Sequence, residues 1–200
     1  MTAQQQMIVE AFNSEVYVAN KMDVQHTPIY DTITYAAAAV INDTNSAFFT
    51  NVGPASGKTL AQTNMRQGNR LAAPEAFSIF GFRLRWSENI LLADLISILN
   101  GFALEFSLGQ KVYNRAPLWF YEAGGGIDGF STRTDSSVYT NGLPSREAMH
   151  KLAIPIVIEN QMEFSARLVG NAFTLAAAAN GGTGATIQLL LDGLYARGVQ

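Results

Sequence analysis

The clearest pattern along the chain is an alternation of large apolar with small or polar residues, concentrated between Phe80 and Tyr121. In FGFRLRW, Phe80, Phe82, Leu84 and Trp86 alternate with Gly81, Arg83 and Arg85. Successive side chains of a strand point to opposite faces, so this stretch predicts a half-buried strand with its two arginines on the polar face. Phe102, Leu104, Phe106 and Leu108 repeat the pattern against Ala103, Glu105 and Ser107, predicting a partner strand in the same sheet or in a facing one. Between them, ADLISILNG predicts a short helix capped by Asp94 and stopped at Asn100-Gly101, because Gly adopts the left-handed conformation of a helix end.

The alternation returns at Leu152, Ile154, Ile156 and Ile158, is interrupted by Glu159-Asn160-Gln161, and resumes at Met162, Phe164, Ala166 and Leu168. This predicts a hairpin. Pro155 cannot donate to a ladder, which places it at an edge or a bulge. Phe173 to Leu175 is a further apolar piece, and after the Gly181-Gly182-Thr183-Gly184 turn, Ile187, Leu189 and Leu191 predict the last strand.

Other stretches are less definite. Residues 1–20 suit two short strands, or a helical turn and a strand, and TITYAAAAVI suits a strand or a tightly packed helix. Lys111 to Tyr113 and Leu118 to Tyr121 read as strand pieces separated by Arg115-Ala116-Pro117. Residues 42–76 are rich in Asn, Thr, Gly, Ser and Gln and read as a long loop or an arm laid along a neighbour; 124–149 read as a second long loop. The sum is an all-β chain: a single jelly-roll β-sandwich over residues 1–200, of about eight antiparallel strands with one short helix and two long loops.

Composition bears on partners more than on fold. Only 14% of the 200 residues are charged, and the net charge is −3. Monomers use Lys, Arg, Asp and Glu to stay apart, so a sparsely charged exterior predicts association with copies of itself or with other proteins. Direct nucleic-acid binding is not expected, because neutralising phosphates needs clustered cations and these are scattered. There is no cysteine, hence no disulfide and no thiolate chemistry. MTAQQQ lacks the features of a signal peptide, and no apolar run approaches the roughly 18–20 residues that span a bilayer, so a protein made in the cytosol is expected.

Candidate sites are few, and each has an ordinary explanation. Gly53-Pro54-Ala55-Ser56-Gly57-Lys58-Thr59 approaches a phosphate-binding P-loop but has three residues, not four, between its glycines. The β pattern downstream leaves no room for alternating βα units, so a Gly/Pro/Ser loop is the expectation. His26 and His150 lack metal-pair spacing, and a cupin-like metal site needs clustered histidines with a carboxylate. Glu105 and Glu163 lie on polar strand faces, where a glycosidase pair and a solvated or salt-bridged pair look alike. Asp128, Ser131, Thr132, Asp135 and Ser136 offer oxygens to calcium without EF-hand spacing. Arg83 and Arg85 suit either an acidic partner or a wet face. Trp86, Trp119, Phe120 and Tyr121 are candidate sugar platforms. No catalytic, cofactor-binding or metal-ligating set emerges, so neither an enzyme nor a small-molecule substrate is expected.

The order of FSIFGFRLRW, ADLISILNG, FALEFSLGQKVY, APLWFYEAGGG and IPIVIENQMEFSARLVG resembles the jelly-roll structural proteins of bacteriophages, in particular the single-jelly-roll coat proteins of tailless, membrane-containing phages. The likeness is one of pattern and covers about Phe77 to Val169. It implies a capsid subunit in the virion without an active site, whose loops contact copies of itself and other virion proteins, around an internal membrane. The chain is too short for two jelly rolls and has no basic arm, which suits a shell over a membrane or a protein added outside a shell. The competing expectation is a phage decoration or fibre domain that binds carbohydrate at a cell surface.

Overall fold

The computed structural model describes residues 22–87, 90–121 and 151–198. Among them lie eleven strands: β1 Met22–His26, β2 Ile29–Tyr35, β3 Val40–Ile41, β4 Ala47–Phe48, β5 Ala76–Trp86, β6 Phe102–Leu108, β7 Lys111–Pro117, β8 Lys151–Ile158, β9 Phe164–Gly170, β10 Phe173–Thr174 and β11 Ala185–Gly198. One helix, α1 (Leu92–Gly101), joins β5 to β6.

One sheet has the order β1-β11-β5-β8, with β2 also paired to β11; the other has the order β4-β9-β6-β7; β3 and β10 form a separate two-stranded ladder. Every pairing is antiparallel. The ladders are nested. β6 pairs β7, β5 pairs β8, β4 pairs β9, β3 pairs β10, and β1 and β2 pair β11, as in a long ribbon folded once at the β6–β7 turn. Two further ladders, β11 with β5 and β9 with β6, join the layers of that ribbon side by side and produce the two sheets.

The alternation has its predicted consequence. Phe102, Leu104, Phe106 and Leu108 of β6 are buried, as are Ile187, Leu189 and Leu191 of β11, and all belong to one continuous core. Contacts between and within the sheets fill it: the Phe82 ring of β5 lies 5.4 Å from that of Phe106 on β6 in the facing sheet, and Phe106 lies 6.1 Å from Phe164 on the neighbouring β9. The predicted β6 partner of β5 therefore faces it across the core.

β5 departs from strict alternation at one place. Asp192 pairs Gly81 but Gly193 pairs Ile79, so Phe80 is an extra residue in a bulge. The inward face passes from Phe77 and Ile79 to Phe82, Leu84 and Trp86, and Phe80 is only half-buried. Glycine is required opposite this bulge: a Cβ on Gly193 would sit 1.9 Å from the Ser78 carbonyl oxygen.

Other expectations are corrected. The segments 152–158 and 162–168 are not a hairpin: β8 is the edge strand of the first sheet and β9 an inner strand of the second. Alternation reports which face is buried, not which sheet the strand joins. Pro155 does lie on an edge strand, whose register to β5 is irregular. Arg115-Ala116-Pro117 belongs to β7, and Leu118–Tyr121 is a 3-10 turn. Asp94 does not cap α1, whose N-cap is Leu91 without a side-chain bond; the buried Asp94 carboxylate accepts the Ala176 N–H at 3.1 Å and ties the helix to the segment before β11. The 42–76 stretch contains β4 and the 3-10 turn Pro54–Ser56, and its Phe48, Phe49, Met65 and Leu71 lie in this chain's own core. The segment 1–20 and the whole 124–149 loop lie outside the described residues.

Candidate functional site

The P-loop-like segment is fully engaged in the fold. Pro54–Ser56 forms one 3-10 turn between Gly53 and Gly57, both at positive φ. The Ser56 N–H donates to the Gly53 carbonyl and the Lys58 N–H to Ser56 Oγ, so these amides point into the loop and do not converge on an anion. Lys58 Nζ donates to both carboxylate oxygens of Asp31, at 2.8 and 3.0 Å. Asp31 stands on the inward face of β2 and is 1% exposed, and its Oδ2 also accepts the Phe49 N–H at 2.8 Å. A buried carboxylate needs partners of this kind, and the Gly/Pro/Ser loop supplies the cation.

Residues 59–64 continue from this loop as a strap across the first sheet. Tyr30 O–H donates to Leu60 O, Thr32 Oγ1 to Gln62 O, and Gln188 Nε2 to Ala61 O, at 2.6, 2.7 and 2.8 Å. Two open clefts, about 450 and 580 Å³, flank the strap and share Thr32 and Gln62 in their walls. These two residues are bonded to each other and hold the strap in place.

The remaining candidates fall apart spatially. His26 is exposed and meets Asp192 at 3.2 Å, while Arg83 reaches the other oxygen of Asp192 at 2.7 Å. Arg83 therefore answers a carboxylate of its own sheet, and Arg85 is exposed. Glu105 is 4% exposed although it lies on the outer face of the second sheet, because Arg115 of β7 and Arg167 of β9 stand directly opposite it in register and close over it. Both oxygens are held: Oε2 accepts from Arg115, and Oε1 from Arg167 at 2.8 Å. Glu163 precedes β9 beside Gly109, four residues from Arg167, or roughly 13 Å at strand rise. The two glutamates are not a catalytic pair. Among the described residues no three His, Asp or Glu side chains gather as a metal ion would require. His150 and the oxygen-rich residues Asp128, Ser131, Thr132, Asp135 and Ser136 lie outside the described residues.

Burial pushes the Glu105 carboxyl up, but the hydrogen bonds and charges of Arg115 and Arg167 outweigh it and hold the group below its ordinary range. A carboxyl depressed in the folded state stabilises fully above its unfolded value and loses that contribution as pH falls through the folded one. Glu105→Gln should therefore lower stability by about 2 kcal/mol at pH 7, the scale of hydrogen bonds to a charged group. The difference from the parent should shrink in acid, below the ordinary glutamate range, and urea denaturation at neutral and acid pH reads both values. An equal deficit at both pH values would contradict the charged clamp.

The aromatic candidates divide. Trp86 and Tyr121 are buried; Tyr121 packs at 5.8 Å on Phe82 and donates its hydroxyl to Asn114 Oδ1, and burial pushes its phenol up to about 12. Trp119 and Phe120 are 56% and 41% exposed, edge to face at 6.3 Å. Val112 and Tyr113 of edge strand β7 are exposed as well. Among the described residues no helix is long and apolar enough to cross a membrane. No protein-family model matches the chain, and no curated protein matches it in sequence.

Proposed function

We propose that the chain is a single jelly roll and serves as a virion structural protein, a coat subunit that assembles with copies of itself. The observation that carries this reading is the nested order of its ladders. A ribbon folded at β6–β7 and rolled so that β11 meets β5 and β9 meets β6 supports the jelly-roll reading, an architecture used by capsid proteins, lectins and cupins. Within that group, three features support a coat subunit. Charge is sparse, with 14% of residues charged. The charged candidates Lys58, Arg83 and Glu105 are engaged in ion pairs within the fold. Apolar side chains are exposed on edge strands, including Val112 and Tyr113 on β7 and Ile154 and Val157 on β8. Repeated heterologous contacts between identical subunits bury such edges around symmetry axes. Its partners are then further copies and other virion proteins, over an internal membrane, and its place is the virion.

Electron microscopy of the concentrated, purified protein tests this: closed particles or regular sheets are expected, and a field of separate small particles under all conditions contradicts it. A second reading has one observation in its favour, the exposed pair Trp119 and Phe120, which could serve a decoration or fibre domain as a sugar platform. Binding on a glycan array that is abolished by Trp119→Ala would favour that reading over the coat.

A further inference from the structure

Most described arginines answer a carboxylate: Arg83 pairs Asp192, Arg115 and Arg167 pair Glu105, and Arg197 lies 3.6 Å from Asp23. Arg66 and Arg70 do not. Among the described residues neither guanidinium makes an ion pair or a hydrogen bond, and both line the same cavity of about 160 Å³. The cavity lies where the segment before β5 crosses the start of β2 and the end of β11. Ile29, Met65 and Leu71, all buried, contribute its apolar wall. Its polar wall includes Tyr195, hydrogen-bonded to Glu75, whose Oε2 also accepts the Ala72 N–H at 3.3 Å.

Two arginines face one glutamate here, a local excess of one positive charge, and the glutamate already has two donors. Two cations without a carboxylate partner on one partly open pocket give it a positive potential that attracts an anion. A water molecule needs roughly 10–15 Å³ of such space, so the cavity has room for a group of several heavy atoms. The guanidinium fork matches two oxygens of one anion, and two forks can engage more oxygens than a single carboxylate offers. We propose that Arg66 and Arg70 bind a phosphate-class oxyanion in this cavity, either free phosphate or the terminal phosphate of a small monoester.

Calorimetric titration of the full chain with inorganic phosphate, and separately with glycerol phosphate, at constant ionic strength in chloride, tests the proposal and distinguishes the two sources. Saturable binding at one site per chain is expected for at least one of them. Arg66→Ala and Arg70→Ala should each weaken it by about tenfold or more, the scale of one lost charge-assisted pair. Glu75→Gln should strengthen it, because a like charge leaves the wall. Both arginine side chains are exposed, and an unchanged unfolding midpoint would show that these variants remain folded. Absence of saturable binding of either ligand to the parent protein, or equal affinity in the arginine variants, overturns the proposal.

Discussion

Phe106→Ala is expected to destabilise the protein by about 3–5 kcal/mol, the usual cost of truncating a fully buried phenylalanine. Phe106 is 0% exposed and stands where the two sheets meet: its ring lies 5.4 Å from Phe82 of the facing sheet and 6.1 Å from Phe164 of its own. Phe164 in turn meets Phe49 at 5.4 Å, so one ring links β5, β6, β9 and the connection after β4. Truncation removes the side chain's burial and leaves a cavity walled by rigid rings, which cannot collapse to fill it. In a chain of this length each kcal/mol corresponds to about 2–4 °C, so the melting temperature should fall by roughly 10 °C. Phe106→Leu, which keeps most of the volume, should recover much of the loss. A deficit in Phe106→Ala no larger than that of an exposed substitution such as Phe120→Ala would show that the sheets do not pack through this residue.

Lys58→Met is expected to have an effect of the same order, about 3–5 kcal/mol, for an electrostatic reason. Asp31 is 1% exposed among apolar neighbours, and the Lys58 ammonium, at 2.8 and 3.0 Å, is the cation that answers its charge. Removing one member of a buried pair leaves the other uncompensated, and that is more costly than losing the pair. The double variant Asp31→Asn with Lys58→Met should therefore be more stable than Lys58→Met alone, since the asparagine oxygen can still accept the Phe49 N–H. Urea denaturation of both singles and the double completes the cycle. Additive losses would contradict the coupling, and with it the structural role assigned to the P-loop-like segment.

Strand alternation was legible wherever one face was apolar and the strand regular, as in Phe102 to Leu108 and Ile187 to Leu191. It failed where geometry was local or long-range. The bulge at Phe80 changes which face is buried without any change in composition. β7 is an exposed edge strand, so Lys111–Pro117 has no apolar face for the pattern to report. The supposed hairpin after Leu152 has correct strands and a wrong partner, because nothing within the two segments encodes which sheet each joins. The candidate site followed the same rule. Residue types singled out Glu105, Arg83 and Lys58, but their partners Arg115 and Arg167, Asp192, and Asp31 are fixed by register and by a strap that crosses the sheet. Asp31, flanked in alternation by Ile29 and Ile33, is not among the residues singled out by type, and only the fold shows it on the inward face of β2. Arg66 and Arg70, in a polar stretch with no period, gave no signal until the fold placed them on one cavity.

The coat-subunit reading is tested most directly by the molar mass of the purified full chain, measured by light scattering across a concentration series. The account predicts a mass that rises with concentration to a fixed multiple of the 21.7 kDa chain, as closed assembly of identical subunits requires. A mass that stays at that of one chain at every concentration would contradict self-driven assembly and turn attention to Trp119 and Phe120 as a ligand platform.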